Sequence, residues 1–104
     1  MPARFDLTPA AKADIRSIWL YTVETWGEEQ ADRYIKALDA MFAEIAAGTA
    51  FSRPFSNKYP QVRVTRCNHH YIFHLARQKK SHLIIAVLHE RMDLLTRLQS
   101  RLPV

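Results

Sequence analysis

The chain has a single cysteine, Cys67, and only two glycines, Gly27 and Gly48, among its 104 residues. One cysteine excludes an intramolecular disulfide and makes a reducing compartment, the cytoplasm, the expected location. Two isolated glycines exclude a glycine-rich phosphate loop. No apolar run approaches the ~20 residues that a membrane span requires, and the start, "MPARFDLTPAAKAD", has no apolar stretch of signal-peptide length. Neither Cys67 nor any serine sits in a nucleophile motif, so covalent catalysis has little support. Acidic residues are scarce in one half only. Residues 1–52 carry five Lys/Arg against eight Asp/Glu, a charge of −3; residues 53–104 carry ten against two, a charge of +8. The basic half suits nucleic-acid phosphates or an acidic protein, and charge alone does not choose.

What is present reads as one globular domain over 1–104, with 48% hydrophobic and 24% charged residues. "ARFDL", Ala3 to Leu7, alternates as a short strand. Thr8 before Pro9 supplies an N-cap followed by a residue that needs no backbone donor, which predicts a helix start. Ile15, Ile18, Trp19, Thr22 and Trp26 lie on one face, and both tryptophans are expected between helix and sheet. Gly27 ends this helix. A second carries Glu28, Glu29 and Asp32 in its first turn and an apolar stripe of Ala31, Tyr34, Ile35, Leu38, Met41, Phe42 and Ile45, ending at Gly48. The two are expected to form a helical hairpin.

"TAFSRPFSNKYP" reads as a loop. Three strands follow: "QVRVTRC", with Val62 and Val64 buried and Arg63 and Thr65 wet, then "HHYIFHLAR" and "HLIIAVLH", both apolar on two faces. A hairpin loop of even length about Lys79 and Lys80 would set Arg77 opposite His82, Ile72 opposite Val87 and His70 opposite His89. An odd loop would break the last pairing. Leu94, Leu95, Leu98 and Leu102 return to helical spacing. The predicted fold is α+β, in the order β-α-α-β-β-β, with a helical hairpin on a small, mainly antiparallel sheet and a short C-terminal helical segment.

All five histidines, at 69, 70, 74, 82 and 89, lie in the basic half. Strand geometry opposes a metal site: His69 and His70 point to opposite faces, and His70 and His74 stand about 13 Å apart at ~3.3 Å per residue. No metal or other cofactor is expected. The last strand ends in "HERMD", where His89, Glu90, Arg91 and Asp93 place a base, an acid and a cation in five residues. With Arg63, Arg66 and Tyr71 these groups contain the components of metal-free RNA cleavage. They equally suit a strand leaving its sheet, with Arg91 and Asp93 paired.

The segments "FDLTPAAKADIRSIWLYT", "GEEQADRYIKALDAMFAEIA", "RVTRCNHHYIFHLA" and above all "IIAVLHERMD" resemble, in order, the RelE/ParE superfamily of toxins from type II toxin-antitoxin systems, and within it the ParE branch. The resemblance implies a cytoplasmic toxin neutralised by a ParD-like antitoxin, with a role in plasmid stabilisation. It implies DNA gyrase as the target, poisoned by binding and without enzymatic activity. RelE-like members are instead ribosome-dependent mRNA interferases with a late Tyr or His-Tyr near a short C-terminus; this chain has no tyrosine after Tyr71. On that comparison "HERMD" fixes the strand end and launches the C-terminal segment. Arg63, Arg66, Arg91, Asp93 and Arg97 are the candidates for target or antitoxin contact, with Arg63, Arg66 and His89 as the catalytic set of the interferase alternative.

Overall fold

A computed structural model describes residues 4–78 and 80–102. The chain begins with strand β1 (Phe5–Leu7) and turns directly into helix α1 (Pro9–Trp26). Thr8 makes that turn: its hydroxyl accepts the Ala11 N–H at 3.1 Å, while its own N–H donates to Ile84 O at 3.1 Å. Gly27, at φ +93°, separates α1 from α2 (Glu28–Ala47). Gly48, at φ +80°, takes the left-handed conformation that ends α2, and its N–H satisfies carbonyls of the last turn. The expected apolar stripe faces inward, with Ala31, Leu38, Phe42 and Ile45 buried. Burying a side chain the size of Leu38 or Phe42 contributes roughly 1.5–3 kcal/mol.

Strand β2 (Arg53–Pro54), unexpected from the sequence, lies in the segment read as loop and pairs antiparallel with β3 (Arg63–Cys67). Two residues leave no periodicity to detect, and Pro54 fits because an edge strand need not donate on both sides. β4 (His70–Leu75) and β5 (His82–His89) complete a sheet of order β1-β5-β4-β3-β2, parallel only between β1 and β5. The short helix α3 (Leu94–Gln99) follows. Of the expected first strand, Ala3 lies outside the described residues.

Both sheet faces are covered, which is why β4 and β5 are apolar on both parities. The helical hairpin buries Cys67, Ile72, Ile84 and Val87 against Leu38, Phe42 and Ile45. On the other face Leu98 and Leu102, with Phe55 and Tyr59 of the preceding loop, cover Val64, Phe73, Ile85 and Leu88. Double coverage corrects the reading of Thr65 as wet: it is 3% exposed beneath the helices, satisfied by His74 Nε2 at 2.8 Å. Trp26 corrects the other way. It is 70% exposed, at the last residue of α1.

The β4–β5 register also differs from the even-loop expectation. Near the loop Leu75 pairs with Leu83 and His74 with Ile84, an odd register in which the Arg77 guanidinium reaches Ser81 O at 2.8 Å. A bulge at Ile85 inserts one residue, and beyond it Phe73 pairs with Ala86, Ile72 with Val87 and His70 with His89. The odd loop and the His70–His89 pair therefore coexist.

Candidate functional site

β1 pairs with β5 only as far as Ile84, so beyond it β5 keeps β4 on one side while its other edge, along residues 85–89, has no strand and runs beside α1. Between that edge and α1 lies a groove of about 910 Å³. Its apolar lining comes from Ile18, Tyr21 and Trp26 of α1 with Val87 and Met92. Tyr21 at 66%, Trp26 at 70% and Met92 at 42% exposed leave large apolar surface in water, a feature that marks interaction sites. Asp14 closes one end. Its carboxylate accepts the Val87 N–H at 2.9 Å and a bidentate pair of hydrogen bonds from Arg101, which also donates to Ile85 O at 3.2 Å. A helix residue and the C-terminal tail thus satisfy backbone that a sixth strand would otherwise take.

The other end of the groove is polar. Tyr34 of α2 hydrogen-bonds His70 Nδ1, and His70 meets His89 edge-on at 5.1 Å between ring centres. Burial, with the neighbouring His89, pulls the His70 pKa down to about 4, so its ring is neutral at pH 7. Glu90 bridges His69 Nδ1 and Arg66 Nη2, each at 2.7 Å; the His69 hydrogen bond and the Arg66 charge hold its carboxyl below the usual range. Arg66 also lies over the Tyr71 ring and donates to its hydroxyl at 3.3 Å. This surface carries a neutral base, a fixed carboxylate and a cation in one neighbourhood.

The residues singled out from sequence separate into groups. His89 lines the polar end of the groove, and Arg66, outside the lining, reaches it through Glu90. Arg63 does not: its guanidinium is held by Ser52 Oγ at 2.8 Å and Ser52 O at 2.9 Å. It pairs with His74, four residues along β4 from the His70 that faces His89, about 13 Å at ~3.3 Å per residue. Arg91 and Arg97 line the groove. Asp93 is not paired with Arg91; it caps α3, accepting the Thr96 N–H at 3.2 Å and hydroxyl at 2.8 Å, contacts that lower its pKa. "HERMD" therefore ends β5 and starts α3 through Asp93. Among the described residues no three His, Cys, Asp or Glu side chains are grouped to hold a metal ion, and no helix is long and apolar enough to cross a membrane.

Sequence reasoning missed Asp14, Arg101 and Tyr34. Tyr34 belongs to the apolar stripe by spacing, and only the third dimension shows its hydroxyl on His70. Nothing in a single chain ties Asp14 to Arg101.

Comparison with known proteins bears on this geometry. The family described as "ParE toxin of type II toxin-antitoxin system, parDE" matches residues 5–94. Toxin ParE of Escherichia coli is 47% identical over 96 residues, covering 92% of this chain and 93% of the relative. Toxin ParE1 of Caulobacter vibrioides is 33% identical over 89 residues, covering 86% and 91%. Among solved structures, one described as the chromosomal ParDE TA system from P. aeruginosa superposes with a TM-score of 0.71 at 20% identity, covering 85% of this chain and 96% of that one, a likeness of fold.

Proposed function

This chain belongs to the ParE toxin family of type II toxin-antitoxin systems, and we propose that it arrests bacterial growth by binding DNA gyrase and trapping its cleaved complex with DNA. The observation that carries the non-enzymatic reading is the separation of Arg63 from Arg66 and His89. Cleavage of RNA through its own 2'-hydroxyl needs base, acid and cation on one phosphate. Arg63, tied to Ser52, stands apart from Arg66 and His89, so that three-residue set does not assemble on one phosphate.

The partner that neutralises it is a ParD-like antitoxin, and the α1–β5 groove is the surface that suits one. Tyr21, Trp26 and Met92 provide the apolar anchors typical of binding hot spots, and Arg91 and Arg97 supply a basic rim for an acidic segment. A toxin that acts on gyrase and is neutralised by an antitoxin works in the cytoplasm, which is the location this reading carries.

One observation favours a second reading, a ribosome-dependent mRNA interferase: Arg66, Tyr71, His69, Glu90 and His89 share the exposed end of the sheet. Induction in a bacterial host separates the readings. Gyrase poisoning predicts growth arrest with chromosome breaks, reversed by co-expressed antitoxin and retained in the Arg66→Ala, His89→Ala double variant. Arrest with cleaved ribosome-bound mRNA and intact chromosomes, lost in that variant, would replace it with the interferase. Growth without arrest would leave a protein that binds antitoxin only.

A further inference from the structure

At the end of the sheet away from the histidine–glutamate network lies a shallow, open bay of about 530 Å³ lined by Arg4, Ala46, Ala76, Arg77, Lys80, Ser81 and His82. Three of those seven side chains are permanent cations, and none is a carboxylate. Such a lining focuses positive potential. We propose that this bay is a phosphate-binding site, in which Arg4, Arg77 and Lys80 hold a phosphate oxygen set above the His82 ring, and that the phosphate it takes is that of a nucleic-acid backbone.

The bay is organised before any ligand arrives. Arg77 is fixed by Asp6 at 2.7 Å and by Ser81 O at 2.8 Å, so its planar fork does not have to be ordered on binding. His82 is fixed from below: its Nε2 meets His74 Nδ1 at 2.9 Å, and His74 Nε2 meets the Thr65 hydroxyl at 2.8 Å. That chain runs from the buried sheet to the bay floor and leaves Nδ1 as the ring atom of His82 for a ligand. The His82 N–H donates to Arg4 O at 3.3 Å, which anchors the backbone that carries Arg4. Arg77 and Asp6 neutralise one another, so the surplus charge of the site comes from Arg4 and Lys80, neither of which is in an ion pair among the described residues.

The inference stands apart from the gyrase reading, and its assays contain no gyrase. A fluorescein-labelled duplex of mixed sequence is titrated with the full chain at several salt concentrations, with the Arg4→Ala, Lys80→Ala double variant and a Lys12→Ala, Lys36→Ala control that removes equal charge from exposed helix positions outside the bay. The proposal predicts duplex binding about tenfold weaker in the bay variant than in the control, and a log–log salt slope shallower by about two, one per lost phosphate contact. Calorimetry with inorganic phosphate forms the second arm. Saturable phosphate binding lost only in the bay variant, with equal duplex binding by both variants, keeps the site and assigns it to a free phosphate. Equal losses in both variants without saturable phosphate binding, or no binding of either probe by the wild type, would overturn the site.

Discussion

Asp14 and Arg101, 87 residues apart, form a bidentate ion pair whose carboxylate also takes the Val87 N–H of the open β5 edge. The pair is largely shielded, with 14% and 19% side-chain exposure, and its hydrogen bond holds the Arg101 guanidinium more firmly protonated than usual. Removing one partner strands the other charge. Arg101→Ala is expected to cost about 3 kcal/mol in urea unfolding. Asp14→Asn, which keeps an acceptor for Val87, should cost less than Asp14→Ala. Equal midpoints for Asp14→Asn and Asp14→Ala would show that the Val87 cap contributes nothing.

The hairpin core gives a second test. Leu38 and Phe42 are 1% and 2% exposed between helix and sheet. Replacing either by alanine removes buried methylene or ring volume that the close-packed surroundings refill only in part. Each is expected to destabilise by about 2–5 kcal/mol. Near-wild-type denaturant midpoints would contradict the packing of α2.

Acid sensitivity follows from the buried histidines. Burial, aided by His82 and Arg63, lowers the His74 pKa to about 4, and burial with His89 does the same for His70. The unfolded chain takes up these protons below its ordinary histidine pKa of about 6.5. The folded chain does so only near 4. Stability is therefore full above pH 6.5 and falls between 6.5 and 4, with a slope approaching about 1.4 kcal/mol per pH unit for each histidine. His74→Gln should flatten the profile by one histidine's share between pH 6.5 and 5. An unchanged slope would remove His74 as a cause.

The groove makes a binding prediction. Tyr21 and Trp26 are more than half exposed, so Tyr21→Ala and Trp26→Ala should alter stability by no more than about 0.5 kcal/mol. Against a cognate antitoxin each is expected to raise Kd at least tenfold, measured by calorimetry or surface binding. Unchanged affinity in both would place the antitoxin elsewhere.

Much of the fold was legible because it rests on local signals. Thr8-Pro9, Gly27 and Gly48 mark helix ends by capping chemistry, and the stripe through Leu38 and Phe42 marks a buried face by period. β2 was not legible, since two residues carry no period. Nor was the Ile85 bulge, because β5 is apolar on both parities and a one-residue slip leaves its pattern unchanged. The site was legible in part. "HERMD" was singled out, but the roles within it came from contacts across the fold: Asp93 with Thr96, Glu90 with Arg66 and His69. Trp26 misled because it shares a helical face with the buried Thr22 yet stands exposed at the last residue of α1, a difference that spacing does not carry.

Gyrase poisoning is assayed with purified protein, supercoiled plasmid, gyrase and ATP, by measuring the linear DNA released by detergent and protease. Gyrase poisoning predicts linear plasmid that accumulates with toxin, requires gyrase, and disappears when antitoxin is added first. A folded, antitoxin-binding sample that yields no linear plasmid above the toxin-free control would contradict it.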